Sequence, residues 1–127
     1  TRAMFGAIDD QLARLDLPKG LAMIGSAGSA TSIASIKLRL DSYQPALIHG
    51  QTMSPPEVAF CLAKLLAMRV EDRREMKGLE AKRADVIPGG VAIFSRVLER
   101  FKASSFTISD RGVRWGLIHE LAARARA

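Results

Sequence analysis

Apolar positions along the chain alternate between helical stripes and short continuous runs. Phe5, Ile8, Leu12 and Leu15 recur at three- and four-residue intervals, one face of a helix that Pro18, Lys19 and Gly20 should end. Leu21 to Ile24 is a short apolar run before two glycines and reads as a buried strand. Ile33, Ile36 and Leu40 then mark a second helix, and Leu47-Ile48-His49 reads as another short strand. Ser54-Pro55-Pro56-Glu57 is the plainest helix start. Serine can cap, glutamate stands three residues later, and both prolines sit in a first turn that needs no amide donor. Val58, Cys61, Leu62, Leu65 and Leu66 follow on its inner side. Val86 to Phe101 reads as a long helix; Pro88 is tolerable only in its first turn, so Asp85 is the expected cap. Phe106 to Ile108 is a third short strand. Ser109 or Asp110 should cap a last helix with Val113, Leu117, Leu121 and Ala125 on one face.

Strands alternating with helices predict an α/β domain, a short and mostly parallel sheet flanked by helices. The 127 residues suit a single domain, residues 1–127. A thin sheet and an abrupt helical start suggest a piece of a larger protein. Nearly half the residues are hydrophobic and charges of both signs are mixed, which excludes a disordered chain. The net charge of +6 favours anionic partners without choosing among them. The uncharged stretch from Gly20 to Ile36 is too rich in Ser, Thr and Gly to span a membrane, and nothing resembles a secretory signal. With the single cysteine, Cys61, in a helical apolar pattern, a reducing, cytoplasmic setting is expected. His49 and His119 lack a Cys or His partner at ligand spacing, so no metal site is expected within this chain. One Trp and one Tyr make no stacking platform, and no recognition helix stands out, which argues against nucleic acid.

Three segments carry candidate chemistry. In GSAGSATSIASIK, residues 25–37, a strand passes through glycines into a helix whose first amides are unpaired, a geometry that suits an anion. Gly25 and Gly28 would shape the turn, with Ser26, Ser29 and the amides near Ala30 as donors. It could equally be a connecting turn, since it matches neither the dinucleotide fingerprint nor the P-loop. In KRADVIPGG, residues 82–90, a basic pair precedes a helix start holding Gly89 and Gly90; Arg83 is either an anion contact or a solvated partner of Glu80 or Asp85. In SDRGVRWG, residues 109–116, Arg111 and Arg114 would face an anion or a neighbouring domain, or simply solvent.

Taken together, these motifs resemble the exopolyphosphatase / guanosine pentaphosphate phosphohydrolase family. The family pattern G-[TS]-A-G-[TS]-A-T reads Gly25-Ser-Ala-Gly-Ser-Ala-Thr31 here, its VHG reads Ile48-His49-Gly50, and its R-A-D-V-I-x-[AG]-G reads Arg83 to Gly90. Its closing S-x-R-G-[LV]-R-x-G reads Ser109 to Gly116, with Trp115 where Glu is frequent and Gly89 where Ala is frequent. The resemblance implies a partial ribonuclease H-like domain of the actin-like ATPase superfamily, the C-terminal part of its second actin-like domain. It implies a parent hydrolase acting on polyphosphate or guanosine pentaphosphate, with Mg2+ and the catalytic base supplied from an upstream actin-like domain, and commonly a homodimer. This chain would form one wall of the anion cleft, with Gly25, Ser26, Ala27, Gly28, Ser29, Arg83 and Gly89 as ligand contacts and no catalytic residue of its own. Two alternatives stay open: a non-catalytic polyphosphate- or alarmone-binding regulatory module, and an ATP-using member of the same superfamily.

Overall fold

The computed structural model describes residues 6, 9–11, 13, 14 and 21–126. The expected stripe of Phe5, Ile8, Leu12 and Leu15, and the break at 18–20, lie outside the described residues. From residue 21 the order is β1 (Ile24–Ser26), α1 (Ala27–Leu38), α2 (Pro45–Ile48), β2 (Thr52–Met53), α3 (Pro55–Ala67) and α4 (Val70–Arg74). A 3-10 turn (Ala81–Arg83), α5 (Ile87–Phe101), β3 (Phe106–Ser109) and α6 (Val113–Arg126) complete it.

The sheet order is β1-β3-β2, with β1 parallel to β3 and β2 antiparallel to it. The α/β expectation holds, with a mixed sheet in place of a mostly parallel one. Helix α1 is the centre of the packing. It touches β1, β3, α2 and α5, and every residue from Ala30 to Ile36 is buried. A helix buried on all sides needs no polar stripe. Helices α3 and α5 pack on each other and close the core with Val58, Leu65, Val91 and Leu98. Cys61 belongs to this core, and burial pushes its thiol pKa up, as befits a packing residue.

Several elements differ from the sequence expectation. Leu47-Ile48-His49 is not a strand; Leu47 and Ile48 end the short helix α2, which starts at Pro45 and buries Ile48 alone, and His49 follows it. The strand lies just beyond, at β2, and two residues are too short to show any period. The buried strand expected over Leu21 to Ile24 starts only at Ile24, and both named residues are exposed. β1 is an edge strand, and Gly25, the one residue of it that is buried, takes the inward position. Asp85 does not cap α5. The chain is already helical there, Val86 stands at the cap with αR dihedrals, and Pro88 occupies the first turn as required. Ser109 folds onto the backbone of Arg111 at 3.1 Å, and α6 starts only at Val113. Val113, Leu117 and Leu121 do share a face of α6, yet all three are exposed.

The start of α3 is as its sequence requires. The Glu57 carboxylate accepts the Ser54 N–H at 2.8 Å and the Ser54 hydroxyl at 2.7 Å, and it pairs with Lys37 of α1 at 2.7 Å. The hydrogen bond from Lys37, then those from Ser54, hold the Glu57 pKa down at about 2 from an ordinary 4.5. A depressed carboxylate contributes stability that is complete above its unfolded pKa and is lost as pH falls through its folded one. Glu57→Gln should therefore cost about 1 kcal/mol at neutral pH, the side chain being partly solvated. The gap between mutant and wild-type melting temperatures should narrow as pH falls from 4.5 toward 2.

Candidate functional site

The parallel strands β1 and β3 end side by side, with Ser26 in register with Ser109. The carboxyl ends of parallel strands are where open α/β sheets place ligands. Past Ser26, which is extended, Ala27 takes a positive φ of 69° and the chain turns at once into α1. That left-handed conformation costs a residue with a Cβ about 1–2 kcal/mol, so the packing around it must hold the turn in place. Ser26 and Ala27 are exposed, Gly28 and Ser29 half-buried. The first amides of α1 have no carbonyl partner within the helix.

Three glycines explain how the site is held. A Cβ on Gly28 would overlap the Arg83 guanidinium, lying 2.5 Å from its Cζ, so that cation sits directly over the first turn of α1. A Cβ on Gly90 would run into the Ser29 side chain, 2.8 Å from its Cβ, so the missing side chain lets α5 lie against α1 there. A Cβ on Gly25 would strike Phe94 at 2.7 Å and Phe106 at 2.8 Å, two rings stacked 4.7 Å apart. Gly25 is thus bare for the core beneath the turn, and Gly28 for Arg83 above it. Gly89 is exposed with open space over its Cα. Gly25→Ala should lower stability by about 1–3 kcal/mol through overpacking of two rings that are locked together, measurable in a thermal melt.

Arg83 is set from below. Arg73 of α4 donates from Nη1 to the Ala84 carbonyl at 2.8 Å and fastens the 3-10 turn. Glu80 lies 3.7 Å from Arg83 but is held more closely by Lys82 at 2.9 Å, and that hydrogen bond lowers its pKa. The Arg83 charge is therefore only loosely paired.

The other two motifs meet on the far side of β3. Gly50 donates to the Ile108 carbonyl at 2.8 Å, and His49 Nδ1 accepts the Asp110 N–H at 3.3 Å. The Tyr43 hydroxyl donates to the Asp110 carboxylate. Arg111 lies over the Trp115 ring at 5.1 Å, an intramolecular cation–π contact that occupies its face. The sequence reading did not single out Tyr43 or Gly78; neither belongs to a local motif, and both act through partners distant in the chain. Among the described residues no group of three His, Cys, Asp or Glu side chains could hold a metal ion. No step here passes through a metal.

A strand–turn–helix opening between parallel strand ends, with an arginine over its first turn, defines an α/β domain whose geometry suits an anion. The chain belongs to the Ppx/GppA phosphatase family, whose model matches residues 2–125. It is similar to a bifunctional 3-dehydroquinate synthase/phosphatase of Fusobacterium nucleatum, 31% identical over 77% of this chain and 14% of that protein. It also resembles a guanosine-5'-triphosphate,3'-diphosphate pyrophosphatase of Aeromonas salmonicida, 26% identical over 77% of this chain and 18% of that protein. The chain thus spans only a small part of these relatives. The fold is shared with the Ppx/GppA family member of Aquifex aeolicus, at a TM-score of 0.87 and 22% identity over 99% of this chain and 41% of that one. No described helix is long and apolar enough to cross a membrane.

Proposed function

We propose that this chain forms one wall of the anion-binding cleft of a phosphoanhydride hydrolase acting on polyphosphate or guanosine pentaphosphate. The observation that carries the reading is the seat of Arg83 on Gly28, which places a loosely paired cation beside the exposed Ser26–Ala27 turn. Backbone amides and a guanidinium converging from two segments suit an oligophosphate, whose charge is repeated and whose oxygens accept several bonds at once. Residues 26–29 supply amide and hydroxyl donors, Arg83 neutralises charge, and Gly89 leaves room for the chain to pass. Gly25 supports the turn from within.

The base that activates water lies outside this chain in this reading. Glu80, the carboxylate nearest Arg83, is held ionised by Lys82, and a carboxylate with a lowered pKa is a poor proton acceptor. Magnesium, where the parent uses it, is held elsewhere. The 127-residue chain should therefore bind polyphosphate and release no orthophosphate from it. Calorimetric titration beside a phosphate-release assay tests both halves. Turnover by this chain would overturn the placement of the base, and absence of binding would overturn the cleft wall.

A further inference from the structure

A cavity lies beside the turn, between the buried face of α1 and the loop that follows α4. Its volume is about 390 Å³, large enough for a small metabolite and too large for orthophosphate alone. Ser32 and Ser35 line it; they are 7% and 6% exposed, and among the described residues neither hydroxyl has a hydrogen-bond partner. Neither oxygen is sealed from the cavity, so both are free to meet a ligand there. Gly78 leaves no room for a Cβ, which would stand 2.5 Å from the Ser35 carbonyl carbon, so the opposite wall lies directly on the α1 backbone.

The charges in the lining do not cancel locally. Asp41 is paired with Lys77 at 2.8 Å, and Glu80 with Lys82 at 2.9 Å. That leaves Arg83, loosely paired at 3.7 Å, and Arg74, which has no ion pair among the described residues, against the Glu75 carboxylate. Two arginines against one carboxylate leave one net positive charge, which suits an anion. One carboxylate and two serine hydroxyls call for hydroxyl groups on the same molecule.

We propose that this cavity binds a small hydroxylated phosphate ester of the sugar-phosphate class. The phosphate is met by Arg74 and Arg83, and the ligand's hydroxyls by Ser32, Ser35 and Glu75. The site is separate from the cleft turn, since residues 26–29 do not line it; the two share Arg83 alone. Occupancy of one should therefore weaken an anion at the other.

The test titrates the 127-residue chain with ribose phosphate (the ester of the primary alcohol), with ribose and with orthophosphate. Ribose phosphate should bind at least about tenfold more tightly than either part, because it alone satisfies both sets of groups. The Ser32→Ala/Ser35→Ala chain should bind it about fivefold more weakly and bind polyphosphate as before. Arg74→Gln, on an exposed side chain, gives a variant whose folding is not at stake and should lose about tenfold. Equal affinities for ribose phosphate and orthophosphate, or unchanged binding in both variants, would overturn the proposal. Ribose phosphate bound without any polyphosphate binding would sink the cleft wall and leave this cavity standing.

Discussion

Gly78→Ala should unfold this chain more readily than any other single methyl tested, by about 3 kcal/mol or roughly 10 °C in melting temperature. Two costs add. Gly78 has a φ of +87°, where a residue with a Cβ is strained by about 1–2 kcal/mol. Its Cβ would also overlap the Ser35 carbonyl oxygen and stand 2.5 Å from the Ser35 carbon, and these are backbone atoms in the last turn of α1. No rotamer change relieves that; the loop or the central helix has to move. Gly50→Ala is the matched control. Its φ is +85°, yet nothing lies within 4 Å of a Cβ there, so it should show the backbone strain alone. The difference between the two melts isolates the clash. Equal melts would mean that the loop yields freely and does not hold the cavity wall.

Arg83→Gln should weaken polyphosphate binding roughly tenfold to a hundredfold with little change in melting temperature. A hydrogen bond to a charged group is worth about 1.5–3 kcal/mol, and each 1.4 kcal/mol is a factor of ten. Stability should barely respond because the ion pair with Glu80 spans 3.7 Å and Glu80 keeps its closer partner, Lys82. Gly28→Ala probes the same contact from the other side. Its methyl group would meet the far end of a flexible side chain, so Arg83 swings away at small cost to the fold. The two variants should therefore share a binding defect while differing from Gly25→Ala, which loses stability through the core.

The clearest sequence signals were those written within a few residues. Ser54 to Glu57 announces α3 because cap, prolines and acid sit together, and their hydrogen bonds form as that spacing requires. Phe106 to Ile108 reads as a strand because its inward residues are large and apolar. Leu47-Ile48-His49 misleads because a four-residue helix buries a single side chain and shows no period, while Pro45, the start signal, precedes the run. Asp85 looks like a cap, but the 3-10 turn before it already brings the chain round, so the start of α5 has no use for its carboxylate.

The candidate site was legible in its parts and hidden in its assembly. Glycines 25, 28 and 90 stand out in the sequence, yet each is bare for a different neighbour: a ring pair, a guanidinium and a serine. Those neighbours lie far along the chain, where no spacing rule reaches. Gly78 sits in a charged segment without apolar period, and its lack of a side chain lets that segment lie on α1.

Amide NMR of the 127-residue chain titrated with polyphosphate tests the central claim most directly. The account predicts that the largest shifts fall on Ser26, Ala27, Gly28 and Ser29, together with the Arg83 guanidinium, and that Arg83→Gln abolishes them. Shifts spread over the exposed basic residues of α4 and α6, with residues 26–29 unmoved, would contradict it.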